Sequence, residues 1–271
     1  MNSSVDKAGR EYWDRFWSQY PLPPALDPEA KGLGRPVWWR FHQYFQGIFN
    51  DRQTRGKKLL EVGCGGSVFL PYFAKSFGFE VSGIDYSPLG CEKALWVLER
   101  EGVRGRVYCA DFHAPPQDWL EQFDVVISLG VVEHFEDTAG AIRAVSRFLG
   151  AGGILITIIP NMSGLMGWLQ RRLDKSAYDV HVALDREDLA SYHSRAGLEV
   201  DTCEYFLPVY LGVLNVDSWP KSLPYRSAFR LGTGISRALR VAIDYLPFVR
   251  PNRWTSPFIT CVARKPLQRT P

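Results

Sequence analysis

One short stretch sets the chemical question. In "LLEVGCGGS", Leu59 to Ser67, a carboxylate at Glu61 is followed by Gly63, Cys64, Gly65 and Gly66. Glycines let a ligand approach the backbone closely, and the helix that follows offers unpaired N–H groups to an anion. An acid at Glu61 suits a ligand that is positive at that point, as an ammonium or a sulfonium is, while the ligand's own carboxylate takes the helix N-terminus. A pyrophosphate would be repelled by the same acid. The dinucleotide fingerprint G-x-G-x-x-G also needs a glycine where Val68 stands, so a nicotinamide oxidoreductase is disfavoured.

The next apolar runs end in matching chemistry. "VSGIDYS" closes on Asp85 and Tyr86, with Asp85 22 residues past Gly63, where a carboxylate can accept hydrogen bonds from both hydroxyls of a ribose. S-adenosylmethionine unites ammonium, sulfonium, carboxylate and ribose. Its methyl is already activated, so the protein must hold a nucleophile on axis and free it of its proton. "FDVVISLGVVEHFED" brings Leu129 to a strand end with Glu133 and His134 just beyond, and His134 is the first candidate for that base. A histidine at such a turn can equally bond backbone and close the site.

These residues need a scaffold that delivers several strand ends to one edge. Apolar runs stand at Lys58 to Val62, Glu80 to Asp85, Arg106 to Ala110, Phe123 to Leu129, Gly153 to Ile159, Leu198 to Leu207 and Pro257 to Ala263. Between the first five lie helix-compatible segments, among them Pro88 to Glu101 and Thr138 to Leu149. This alternation predicts βαβ units and a parallel sheet, with ligands at the carboxyl ends of the strands. Ahead of it, "REYWDRFWSQY" spaces Tyr12, Phe16 and Tyr20, and likewise Trp13 and Trp17, four apart, as on a helix. After a proline- and glycine-rich break, "VWWRFHQYFQGIFNDRQ" reads as a second aromatic helix. The first stripe has two readings: Tyr12, Trp13, Phe16 and Trp17 as a lid over the cofactor, with Tyr12 and Trp13 against it, or plain packing.

As a set, Glu61, Gly63, Gly65, Asp85, Asp111 and the Glu133-His134 pair resemble class I S-adenosylmethionine-dependent methyltransferases. The resemblance spans residues 57–207 and 256–265. It implies an α/β fold with a Rossmann-like, seven-stranded, mostly parallel sheet flanked by helices, its last strand antiparallel. It also implies that Glu61, Gly63, Cys64, Gly65, Asp85, Tyr86 and Leu129 hold the cofactor, that Asp111 in "VYCADFH" meets the adenine amino group, and that Phe112 packs on the ring. His181, just before "LDREDL", then stands beside the substrate as a second candidate base. "VVEH" is similar to ubiquinone-biosynthesis O-methyltransferases, some of which hold a divalent metal with two glutamates and a histidine. Here Glu133 and His134 are kept but Gly130 stands where the other glutamate would be, so no metal is expected. Residues 1–56 are expected as an N-terminal cap and 208–255 as a basic helical insertion over the acceptor.

Composition bounds the rest. The 271 residues, 46% hydrophobic and 23% charged, fit one globular domain with additions. No run approaches the ~20 apolar residues of a membrane span, and "MNSSVDKAGREYW" lacks a signal peptide's apolar centre, so a cytoplasmic protein is expected. The five cysteines include no C-x-x-C pair and read as reduced core thiols. The net charge of +3 is uneven: Ser218 to Trp254 holds seven lysines and arginines against Asp244. Within it "GISRALRVAIDYLPFV" forms an amphipathic helix, which allows contact with a membrane surface. The expected reaction is methyl transfer to an oxygen or nitrogen of a small molecule, such as a natural product, a quinone-like compound or a lipid-linked glycan. Two further readings are an RNA or protein methyltransferase that uses the basic insertion, and a cofactor-binding protein without turnover. No nucleic-acid module is visible, and the sequence does not set the oligomeric state.

Overall fold

The apolar runs become strands in the computed structural model, which describes residues 5–22, 25–29, 35–50, 52–215 and 250–267. The strands are β1 (Lys58–Val62), β2 (Glu80–Asp85), β3 (Gly105–Cys109), β4 (Phe123–Leu129), β5 (Leu149–Pro160), β6 (Glu199–Phe206) and β7 (Phe258–Arg264). They form one seven-stranded sheet in the order β3-β2-β1-β4-β5-β7-β6. Neighbours among β1 to β5 pair parallel, and β7 slots between β5 and β6, antiparallel to both. The expected Rossmann-like sheet is therefore present. β1 and β4 are buried on both faces, which is why they read as continuous apolar runs instead of alternating ones.

The helices are α1 (Arg10–Gln19), α2 (Arg35–Phe49), α3 (Phe69–Phe77), α4 (Pro88–Arg100), α5 (Thr138–Ser146), α6 (Leu165–Leu173), α7 (Lys175–Asp179) and α8 (Arg186–Arg195). One core lies under α5 and α8 and holds Ile142, Val145 and Leu189; the other lies under α2, α3 and α4 and holds Phe45, Phe73 and Leu98. α5 stops three residues short of the sequence expectation. Phe148 and Leu149 are needed elsewhere: the Phe148 carbonyl accepts from Phe123 N at 3.0 Å, Leu149 pairs with Phe123, and both are fully buried. β5 is correspondingly longer at its start.

The two aromatic helices have different fates. In α2, Val37, Phe41, Phe45 and Phe49 recur every four residues and are all buried, against α3 and the ends of β6 and β7. α1 buries no residue completely. It is tied down at its approach instead: Asp6 bridges to Phe135, Lys7 N donates to the His134 carbonyl at 2.9 Å, and the Asp14 carboxylate accepts from Ser87 Oγ at 2.5 Å.

Of the expected insertion, residues 208–215 and 250–255 are described, with a one-turn helix at Leu211–Val213. The amphipathic helix and most of the basic residues expected at 218–254 lie outside the described residues. No described helix is long and apolar enough to cross a membrane.

Candidate active site

The turn after β1 takes its shape from glycine. Gly63 has φ 75°, a left-handed backbone that glycine adopts without strain, and a Cβ there would fall 2.3 Å from Val131 Cγ2. The turn is locked to the end of β2, because the Asp85 carboxylate accepts from Gly65 N and from Ser87 N, each at 2.8 Å. Burial raises the Asp85 pKa to about 6, against the opposing pull of these N–H groups.

Glu61 is almost wholly buried and accepts from Ser67 Oγ at 2.5 Å, while Ser67 Oγ in turn accepts from Phe69 N and Leu70 N and so caps α3. Desolvation pushes the Glu61 pKa up to about 8. A carboxyl in that state is ready to ionise when a cation arrives beside it.

Glu61, Gly63, Gly65, Asp85, Tyr86, Leu129 and Trp13 all line one cavity of about 420 Å³, within the usual range for small-ligand sites. Part of its remaining wall is α1, whose Trp17 covers the glycine turn. A Cβ on Gly65 would come within 2.5 Å of the indole nitrogen. Tyr86 donates its hydroxyl to Asp6 at 2.7 Å, which fastens the N-terminal segment over the same cavity. The residues fit a ligand with a cationic centre and a diol, set against bare backbone and indole faces.

Four candidates stand apart from this cavity, one of them Tyr12, which was expected against the cofactor and lines the adjoining cavity instead. Cys64 is fully buried and directs its thiol at Gly83, so only its backbone belongs to the turn. Asp111 is exposed and its carboxylate accepts from His113 N at 2.8 Å, a local turn. Phe112 is buried edge-on against Phe135, itself a cavity residue.

A second cavity, also about 420 Å³, adjoins the first and shares Trp13, Phe16, Phe69, Leu129, Gly130 and His134 with it. Its wall is mostly aromatic and aliphatic, with Tyr12, Trp38, Phe41, Met162, Tyr210 and Phe258 prominent. Glu133, His134 and His181 supply its polar corner. The two imidazole rings are 4.6 Å apart, and His134 Nε2 lies 4.0 Å from the Glu133 carboxylate. His134 shares a hydrogen bond between Nδ1 and the Val180 carbonyl at 2.8 Å, and Trp13 meets its ring edge-on. Burial lowers both imidazole pKa values, to about 3 at His181, and raises that of Glu133 to about 8. Near neutral pH both histidines are therefore uncharged, and the pKa of about 3 makes His181 a weak base. Sequence reasoning brought forward all three residues but not their meeting. It also missed Asp6 and Lys7, whose ammonium donates to the His181 carbonyl at 3.0 Å, because nothing in "SSVDKAG" marks a strap.

A sequence family described as a methyltransferase domain matches residues 39–202. The ubiquinone biosynthesis O-methyltransferase of Pseudomonas aeruginosa is 32% identical over 184 residues, 60% of this chain and 78% of that protein. The enzyme of the same name from Azorhizobium caulinodans is 29% identical over 155 residues, and the match spans 56% of this chain and only 58% of the relative's length. Among solved structures, a geranyl diphosphate C-methyltransferase from Streptomyces coelicolor superposes with a TM-score of 0.56 at 17% identity, covering 94% of this chain and 97% of that one. At that identity the likeness speaks for the fold alone.

Proposed function

The chain belongs to the class I S-adenosylmethionine-dependent methyltransferases, and from that membership we propose that it methylates an oxygen of an apolar, aromatic small molecule. The observation that carries this reading is the wall shared by the two cavities. A methyl donor bound over the glycine turn and an acceptor bound among the aromatic rings would meet at Leu129, Gly130 and His134. S-adenosylmethionine, when bound, supplies the activated methyl. Glu61 would face its cationic end, Asp85 and Tyr86 its ribose, and the backbone of Gly63 and Gly65 its length. The turn that carries Asp111 and Phe112 would hold the adenine end.

This chain's own residues do the remaining work. Trp13, Phe16 and Trp17 exclude water from the first cavity, which strengthens electrostatic contacts inside it. The polar corner at Glu133, His134 and His181 receives the acceptor's hydroxyl and removes its proton. Oxygen is favoured over nitrogen by the likeness to O-methyltransferases, and by a corner that can take a proton but has no further acid to hold an ammonium. No lysine or arginine is among the described residues lining the acceptor cavity, which weighs against a nucleic-acid substrate.

The test is a thermal shift with S-adenosylhomocysteine followed by labelled methyl transfer to a panel of phenols, catechols, amines, RNA and protein. Stabilisation together with label on the phenols supports the reading. Failure of S-adenosylhomocysteine to stabilise, or label confined to RNA or protein, overturns it.

A further inference from the structure

The polar corner of the acceptor cavity has the makings of a metal centre. Glu133, His134 and His181 each offer one ligating atom, and these atoms all lie within 4.8 Å of one another. Three such atoms share a centre within about 2.8 Å, so movements under about 1 Å would bring each to the ~2.0–2.2 Å of zinc–nitrogen and zinc–oxygen bonds. Two elements provide them: the one-turn helix Val132–His134 and the loop that follows α7.

Glu133 is 1% exposed, and neither carboxylate oxygen has a hydrogen-bond partner. A buried acid left this way is costly unless something fills its coordination. Both histidines spend Nδ1 on a backbone carbonyl, His134 on Val180 at 2.8 Å and His181 on Ala177 at 2.7 Å. That arrangement favours the proton on Nδ1, with His134 Nε2 4.0 Å from the Glu133 carboxylate; a second backbone carbonyl also lies against each ring, Gly130 at His134 and Tyr178 at His181. His193 is the contrast, since both its ring nitrogens are engaged, with the Leu189 carbonyl and with Thr157 Oγ1. Gly130, whose carbonyl also faces the His134 ring, leaves the space beside the cluster clear: a Cβ there would stop 3.7 Å from Glu133 Oε1.

We propose that Glu133, His134 and His181 bind one divalent transition ion of the zinc class. The inference rests on the acceptor-cavity reading above and deepens it. His181 supplies the third ligand that the motif around position 130 lacks, and two imidazoles with one carboxylate favour a borderline transition ion over magnesium. Such an ion would polarise an acceptor hydroxyl and lower its pKa, so that its proton can leave to solvent near neutral pH.

The test uses the full chain, stripped with chelator and titrated with Co²⁺ under visible absorption, with Zn²⁺ and Mg²⁺ as competitors. One equivalent of Co²⁺ is expected, displaced by Zn²⁺ but not by equimolar Mg²⁺. Its affinity should fall by more than about 100-fold in His181→Ala and in Glu133→Gln. Stabilisation by S-adenosylhomocysteine on the same samples checks that the variants fold. Absence of stoichiometric Co²⁺ on the wild type, or unchanged affinity in folded His181→Ala, overturns the site. Methyl transfer to phenols by the stripped wild type, with no Co²⁺ bound, overturns the metal while leaving the proposed reaction standing.

Discussion

Asp85 fixes the glycine turn with the same carboxylate that, in the proposed reading, takes the ribose. Asp85→Ala is therefore expected to cost ~1.5–3 kcal/mol in S-adenosylhomocysteine affinity and to lower the melting temperature as well; calorimetry and thermal melts read both, and unchanged affinity would remove the cofactor role. Gly65→Ala drives a methyl into the Trp17 indole and should destabilise by ~1–3 kcal/mol, with much of that recovered in a Gly65→Ala/Trp17→Ala double variant. The buried carboxyls also set a pH dependence. Glu61 and Glu133 are raised to about 8, so each is protonated in the folded chain where the unfolded chain has already ionised. Their stabilising contribution is full below the ordinary carboxylate range and is lost as pH rises through the folded value. The buried histidines act in the opposite direction, but above ~6.5 they are neutral in both states. Between about pH 6.5 and 8 the ligand-free protein should lose on the order of a few kcal/mol, and Glu61→Gln should flatten that slope. A melting temperature that rises across this window would contradict the assignment.

α1 and α2 look alike in sequence and differ in what they bury, which separates their roles experimentally. Phe45 is wholly enclosed, so Phe45→Ala should cost ~3–5 kcal/mol of stability. Deleting residues 1–20 removes no buried side chain of α1 and should leave the sheet folded by circular dichroism, while S-adenosylhomocysteine affinity falls at least tenfold. Comparable loss of stability in both variants would make α1 a structural helix. The strand ends that carry Glu61, Asp85 and Leu129 were legible in the sequence, because an apolar run closing on glycine or an acid is a local signal. The choice between lid and core for "REYWDRFWSQY" was not, because both give the same four-residue spacing and only the partner differs. His181 meets Glu133 for the same reason: the contact is made by the fold, across the crossover from β5 to α8, and leaves no trace in spacing. The end of α5 was misjudged because Phe148 and Leu149 suit a helix locally, and the pairing with Phe123 decides otherwise.

At the scale of the whole molecule, the sheet presents β1, β2 and β4 at one edge, and the N-terminal segment returns across that edge to meet residues 86, 134 and 181. The family's sheet could be read from the chain because its order follows from alternating runs and a resemblance spanning most of them. The acceptor's identity could not, since the cavity proposed to receive it is assembled from α1, α2, the β5–α8 crossover and the start of the insertion. One consequence follows from α1 forming a wall of both cavities. In the proposed reaction one door would serve two rooms, with donor, acceptor and both products exchanging as that helix swings. Turnover should then be paced by that swing and not by bond making: kcat falls as solvent viscosity rises, and weakening the Tyr86–Asp6 latch with Tyr86→Phe makes it less sensitive. A kcat indifferent to viscosity would mean the helix opens faster than the chemistry proceeds.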